Sequence, residues 1–333
     1  MLSAKQILLL EQLSGVGKSA ILAINDYLVS NKLALPYREA EILDLLEEVR
    51  KYYKRLQLPT LDNLSLAIAA SEHIIEQSDR HGIKILSFND STFPRLLATI
   101  KNLPLLLHCK GNIASLQAPT VAIIGTREPS EHALAAGPKL SSYFVDAGFT
   151  VVSGLALGCD TIGHRASVDV KKPTVAVMAG GLHSIYPREN KELANKILEC
   201  EGLLLSELHF GKDPHRSTFV DRDRLQSGLS RGVVVLETGV KGGTLHTVGF
   251  ALKESRPVAC MYSHMKSKGG FETHDKFQGN RMLVEESKAV PLDSPAAIQA
   301  YIEKLLSQGR NSGNSSDPEL GSTSSKAQLT LFS

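Results

Sequence analysis

Tryptophan is absent from this 333-residue chain, and aromatic residues together make up only 5% of it. Any site that stacks rings must therefore use a few local ones. Cysteine is scarce as well: Cys109, Cys159, Cys200 and Cys260 lie far apart and none forms a CxxC pair. That spacing gives neither a zinc site nor a thioredoxin-type redox motif, and it fits buried reduced thiols better than disulfides. His164, His183, His209, His215, His246, His264 and His274 are scattered without i,i+4 pairing, so no metal and no cofactor is expected. No apolar run approaches the roughly 18–20 residues that span a bilayer. The N-terminus lacks a basic region followed by a signal-type apolar core, and no amphipathic basic helix suggests a membrane surface. A cytoplasmic protein with no membrane partner is the expectation. Excess charge is missing too: the formal net charge is +2. A polyanion site must then come from local clustering of Lys and Arg, not from the global field.

What is present divides into three regions. Residues 1–78 carry apolar residues at helical spacing, with Ile42, Leu45, Leu46 and Val49 on the i, i+3, i+4, i+7 template. They read as a small helical domain. Residues 79–306 alternate short β-branched runs with helical patterns. Strands are expected at 121–125, 150–153, 174–178, 203–206, 233–237 and 258–261, and helices at 131–147, 190–200 and 245–254, with a final helix at 294–306. Continuous apolar runs such as Val233-Val234-Val235-Leu236 indicate strands buried on both faces. Repeated β-α-β units imply an α/β fold with a mainly parallel sheet and helices on both faces. Residues 307–326 are rich in Ser, Gly and Asn and cannot bury enough apolar area to offset ordering, so 307–333 is expected to be a disordered tail.

The glycine-bearing turns carry the chemistry. Leu13-Ser14-Gly15-Val16-Gly17-Lys18 has the form of a helix-hairpin-helix turn, whose backbone N–H groups could meet a phosphate. A tight structural turn is the stronger reading of the two, and a P-loop is excluded because the upstream glycine is missing. Gly125-Thr126-Arg127 ends a strand and leads to Ser130 at a helix start, with Ser130 a plausible N-cap. Ligands of open parallel sheets bind at such strand ends, where helix N-termini favour anions and Arg127 suits a phosphate contact. Ser153-Gly154-Leu155-Ala156-Leu157-Gly158-Cys159-Asp160 repeats the arrangement, with His164 close behind. Ser153, Asp160 and His164 are the residue types of a hydrolase triad, but there is no GxSxG elbow, and capping is the preferred role. Gly242-Gly243-Thr244 opens another helix beside Lys241. The backbone at Gly125, Ser153, Gly154, Gly158, Gly242 and Gly243 is expected to form anion-binding loops.

Taken in order, Gly-Thr-Arg-x-x-Ser from 125, Ser-Gly-x-Ala-x-Gly-x-Asp from 153, Gly-Gly-Leu-x-x-x-Tyr-Pro from 180, Ser206-Glu207, and Phe-x-x-Arg-x-Arg-x-x-x-Gly-Leu-Ser from 219 resemble the DprA/Smf family of DNA-processing proteins. The resemblance implies a Rossmann-like domain preceded by a small helical, helix-hairpin-helix or SAM-like domain. It implies a non-enzymatic homodimer that binds and protects single-stranded DNA and loads a RecA-type recombinase in DNA uptake or recombination. Arg127, Ser130, Arg222 and Arg224 are the DNA contacts it implies; Lys241 joins them from charge and placement alone. Asp223 departs from the family's Arg-Asn-Arg and adds a negative charge there. A nucleotide-binding or nucleotide-cleaving Rossmann-like protein is the alternative, echoed by Gly242-Gly243-Thr244. At the chain end, Gln328-Leu329-Thr330-Leu331-Phe332 resembles the Gln-Leu-x-Leu-Phe motif that docks bacterial replication proteins on the sliding clamp; a chance apolar ending is the bland reading.

Overall fold

A computed structural model of the chain describes residues 1–262 and 275–311. Four helices come first: α1 (Ala4–Glu11), α2 (Lys18–Ser30), α3 (Glu39–Tyr52) and α4 (Leu61–Arg80). Each buries the apolar stripe that its spacing dictates. Ile7, Leu8 and Leu10 of α1 meet Ile21, Ile24 and Leu28 of α2, Ile42, Leu46 and Val49 of α3, and Leu64 and Ile74 of α4. Ser3 and Gln6 form a capping box at the start of α1, and Thr60 caps α4, each supplying a partner for an otherwise unpaired first-turn N–H.

The α4 helix passes the expected boundary at residue 78 and leads into a nine-stranded sheet. Its strands are β1 (Ile83–Ser87), β2 (Leu106–Gly111), β3 (Thr120–Ile124), β4 (Thr150–Ser153), β5 (Thr174–Val177), β6 (Leu203–Ser206), β7 (Val233–Val235), β8 (Val258–Met261) and β9 (Val290–Leu292). They lie in the order β1-β2-β6-β5-β4-β3-β7-β8-β9. All pairings from β6 to β9 are parallel; β1–β2 and β2–β6 are antiparallel. The six expected strands are present within two residues of their bounds. The antiparallel pair β1 and β2 and the edge strand β9 were not anticipated. Leu105 and Leu106 join the core of the first four helices, so the start of β2 ties the two regions together.

The remaining helices are α5 (Arg95–Ala98), α6 (Glu131–Asp146), α7 (Cys159–Val168), α8 (Lys191–Glu199), α9 (Arg216–Gly228), α10 (Thr244–Lys253), α11 (Gln278–Glu285) and α12 (Pro295–Asn311). They cover both faces, as strand alternation requires. Val121 and Ile123 pack with Phe144 of α6 and Tyr301 of α12, while Ala122 and Ile124 pack with Val248 of α10 and Leu283 of α11. The α12 helix continues to Asn311, so the start of the expected disordered tail is helical instead. The clamp-type motif at 328–332 lies outside the described residues. Among the described residues no helix is long and apolar enough to cross a membrane.

One side chain in this core is a liability. His108 of β2 is 1% exposed, and neither ring nitrogen has a hydrogen-bond partner. Burial pushes its pKa down to about 3. The folded value lies below the unfolded one, so the unfolded chain takes up a proton first and stability drains as pH falls from the ordinary histidine range toward 3. Replacing a buried unsatisfied polar group by an apolar one of similar shape is neutral or stabilising. His108→Phe is therefore expected to raise the urea midpoint, and to raise it more at about pH 5 than at about pH 7.5. An equal shift at the two pH values would show that this imidazole does not drive the acid limb.

Candidate functional site

Between β3 and β7 the chain departs in opposite directions, which opens a crevice at the carboxyl ends of the strands. Its first element is an occupied helix terminus. The Ser130 N–H donates to Glu237 Oε2 at 2.7 Å and its hydroxyl to Glu237 Oε1 at 2.6 Å, while Ser130 Oγ accepts from the Ala133 N–H at 3.3 Å. A helix N-terminus attracts an anion; here the anion is the chain's own fully buried Glu237. Ser130 is the N-cap that its position suggested, with its own donors satisfied from within. Gly125 has no room for a Cβ, which would meet Cys159 and the Glu237 carbonyl. Gly242 donates its N–H to the Gly239 carbonyl at 3.1 Å. Lys241 and Gly243 are exposed beside it, at the start of α10.

The loop after β4 is filled in the same way. Asp160 Oδ2 accepts from the Gly154 N–H at 3.1 Å and the Ala156 N–H at 3.3 Å. His164 Nε2 accepts from the Leu155 N–H at 3.3 Å, and its Nδ1 meets Thr174 Oγ1 at 2.9 Å. Thr174 itself donates to the Val151 carbonyl, so His164 Nδ1 carries the proton. Burial, with the Arg222 charge adding to it, holds the His164 pKa at about 3 and the ring neutral. The Ser153 hydroxyl donates to the Ile123 carbonyl at 2.6 Å. Gly158, at φ 79°, turns the chain tightly against the carbonyls of Thr126 and Arg127. The amides expected to bind an anion at Gly154 and its neighbours are thus satisfied internally. Ser153 also faces the Asp160 carboxyl, but His164 bonds to Leu155 and Thr174 rather than to either, so the three form no relay.

Above this floor lies a cleft of about 330 Å³ lined by Arg127, Gly154, Ala156, Leu157, Tyr186, Pro187, Arg188, Glu189, Phe219 and Arg222. The loops after β3, β4 and β5 supply one wall and α9 the other. Arg127 is exposed, with its guanidinium carbon 5.4 Å from the Phe219 ring centre. Tyr186 stands edge-on to Phe219 at 5.7 Å between centroids. Arg222 is 7% exposed. Its Nη1 lies 3.8 Å from Asp160 and its Nε 3.4 Å from Asp223; the side-chain oxygen of Gln226 faces both Arg222 and the Gly154 N–H. Burial pushes the Asp223 carboxyl up to about 6, against the pull of Arg222, and burial also raises Asp160.

Arg224 faces elsewhere. It is 6% exposed and grips Glu207 through two hydrogen bonds of 2.5 and 2.7 Å. Its Nε donates to the Asn102 carbonyl at 2.9 Å. Expected at DNA, it is committed to an internal ion pair, because residues two apart on a helix point to different sides.

A family model described as DNA recombination-mediator protein A matches residues 84–303. The chain belongs to this family. It is 38% identical over 188 residues to protein Smf of Synechocystis, covering 55% of this chain and 47% of that protein. It is 33% identical over 213 residues to DNA processing protein DprA of Bacillus subtilis, covering 61% of this chain and 71% of that one. The matched part thus spans about half the length of the Synechocystis relative. The crystal structure of DprA from Streptococcus pneumoniae superposes with a TM-score of 0.72 at 26% identity, covering 90% of this chain and 98% of that one. A Helicobacter pylori DprA structure, described for its single-stranded DNA binding mode, matches with a TM-score of 0.57 at 27% identity, over 68% and 97% of the two chains.

Of the site residues expected from sequence, the cleft gathers Arg127, Arg222 and Gly154. Glu237, Arg188 and Gln226 were not picked out. Arg188 follows the Tyr186-Pro187 pair, and that adjacency was a usable signal. Glu237 and Gln226 become visible only through partners about 70 to 110 positions away in sequence. A Cβ at Gly154 would overlap the Arg222 guanidinium. Gly154→Ala is accordingly expected to push Arg222 off Asp160 and to lower stability by about 1–3 kcal/mol, the usual cost of overpacking. Urea unfolding measures it, and a wild-type midpoint would mean that Arg222 moves freely.

Proposed function

We propose that the protein binds single-stranded DNA in the cleft over the carboxyl ends of β3 to β5. The observation that carries this reading is the combination of Arg127, Arg188 and Arg222 with the paired rings of Tyr186 and Phe219. Sequence-tolerant single-strand sites use cations that track phosphates and rings on which bases stack. Arg127 and Arg222 serve as phosphate contacts, and Tyr186, which is 49% exposed, as the ring open to a base. Arg224 serves as a buried strut for α9, and Lys241 as a peripheral cation. The Helicobacter relative's single-strand binding mode supports the choice of ligand. Binding without turnover is favoured because His164 bonds to Leu155 and Thr174 rather than to Ser153 or Asp160. Strand protection, loading of a RecA-type recombinase, a homodimer and a cytoplasmic setting belong to the same proposal and rest on family membership. A sliding-clamp partner rests on the sequence at 328–332 alone.

The test is fluorescence anisotropy with a labelled oligonucleotide across a salt series. Log affinity falls with log salt by about 0.7 per phosphate neutralised on a single strand. Arg127→Ala is expected to reduce the slope by about that amount. A folded variant with unchanged affinity and slope would remove Arg127 from the site.

Asp223 gives a second prediction. Its carboxylate opposes a polyanion, and its pKa near 6 means that the charge is lost as pH falls through that value. Wild-type affinity should therefore rise as pH is lowered through about 6. Asp223→Asn should bind more tightly at about pH 7.5, by about 1 kcal/mol or roughly fivefold. Every other group is common to the two proteins, so the difference between them isolates Asp223. Parallel pH profiles would sink the assignment.

A further inference from the structure

The helical region carries a cationic turn that no feature of the cleft uses. Residues 50–55 read Arg-Lys-Tyr-Tyr-Lys-Arg, with no Asp or Glu from 49 to 61. Arg50, Lys51, Lys54 and Arg55 are all exposed. Lys51 pairs with Glu48; no ion pair holds Arg50, Lys54 or Arg55 among the described residues. Cations in the last turn of a helix complement its dipole, which accounts for Arg50 and Lys51 at the end of α3. It does not account for Lys54 and Arg55, which lie beyond the helix. Nor does it account for Tyr52, a large ring left 78% exposed and tilted against Tyr27, 5.6 Å away between centroids. Interleaved cations and an open ring are the composition of a single-strand contact.

Its position is fixed relative to the cleft. The turn is anchored by buried Leu56, and Gln57 packs over Gly15 in the α1–α2 turn, leaving no room for a Cβ there. Lys18, at the start of α2, donates to Asn102 Oδ1 at 2.5 Å and to the Leu103 carbonyl. Asn102 in turn accepts from Arg224 of α9, the helix that carries Phe219 and Arg222. The basic turn is thus braced, through Gly15, Lys18 and Asn102, against the element that forms one wall of the cleft.

We propose that residues 50–55 form a second nucleic-acid contact, where a single strand leaving the cleft lays phosphates on Arg50, Lys54 and Arg55 and a base on Tyr52. This rests on the reading of the cleft as a strand site. It requires binding to depend on strand length: a short oligonucleotide fills the cleft alone, and a longer one reaches the turn.

The experiment compares strands of about 10 and about 40 nucleotides on the full chain. The protein variants are wild type and the combined Arg50→Ala, Lys51→Ala, Lys54→Ala, Arg55→Ala protein. All four positions are exposed, so folding is expected to be retained, and circular dichroism checks it. For the long strand the variant should lose about tenfold in affinity at low salt, and its salt slope should shrink by about 2 to 3. Binding of the short strand should not change. The chain has no tryptophan, so Tyr52→Trp supplies a single reporter. Its emission should be quenched by the long single strand and much less by the short one. Unchanged long-strand binding by the combined variant, or no quenching at position 52, overturns the second contact and leaves the cleft intact. Equal quenching by a duplex overturns its assignment to single strands. Absence of any strand binding by the wild-type protein overturns both this contact and the cleft.

Discussion

The guanidinium of Arg222 lies between two carboxylates, Asp160 at 3.8 Å and Asp223 at 3.4 Å, and the floor of the cleft is organised around it. Asp160 gathers the Gly154 and Ala156 amides, and this shapes the loop after β4. Gln226 bridges the same guanidinium to the Gly154 amide. Only glycine fits at 154, because the Arg222 head group occupies the space that a side chain would need. Removing one partner of a buried ion pair leaves an uncompensated charge, which typically costs about 3–5 kcal/mol. The loop, the glycine and the helix α9 are therefore coupled through one buried cation.

The electrostatics follow from that arrangement. The helix N-terminus that would ordinarily receive a small anion already holds Glu237, and the loop amides after β4 already hold Asp160 and His164. What stays open is a wider surface of arginine side chains and rings at the strand ends. Such a surface suits an extended polyanion better than a compact phosphate, because each cation meets a separate charge along a chain. Arg127 over Phe219 unites both functions, since the ring that positions the cation also offers an apolar surface beside it. The second carboxylate beside Arg222 lowers the positive charge of the cleft at neutral pH, in keeping with a chain whose overall charge is close to balance.

The sheet was legible in the sequence because a strand buried on both faces must be a continuous apolar run, and runs such as Thr174 to Val177 and Leu203 to Ser206 have few alternatives. The ordered glycine motifs likewise identified the family. The antiparallel β1 and β2 escaped notice because Ile83 to Ser87 mixes lysine and serine with its apolar residues, and its register comes from partners rather than from pattern. Helix α9 is likewise not among the helices expected from the sequence. Its segment from Arg216 to Gly228 is mostly polar; beyond Leu225, which joins a hydrophobic cluster, its burial relies on Arg222 and Arg224 meeting Asp160 and Glu207 on other elements.

The sequence by itself determined that this is an α/β protein with a helical N-terminal region, and it placed Arg127 just beyond the end of a strand. Only the tertiary structure decided which polar groups are free. Ser130 and Arg224 match the family motif as closely as Arg127 does. One is tied to Glu237, 107 positions away, and the other to Glu207 across a helix-strand contact. Local spacing specifies where a side chain starts along the chain. Whether it ends in solvent or in a salt bridge depends on partners brought together by folding.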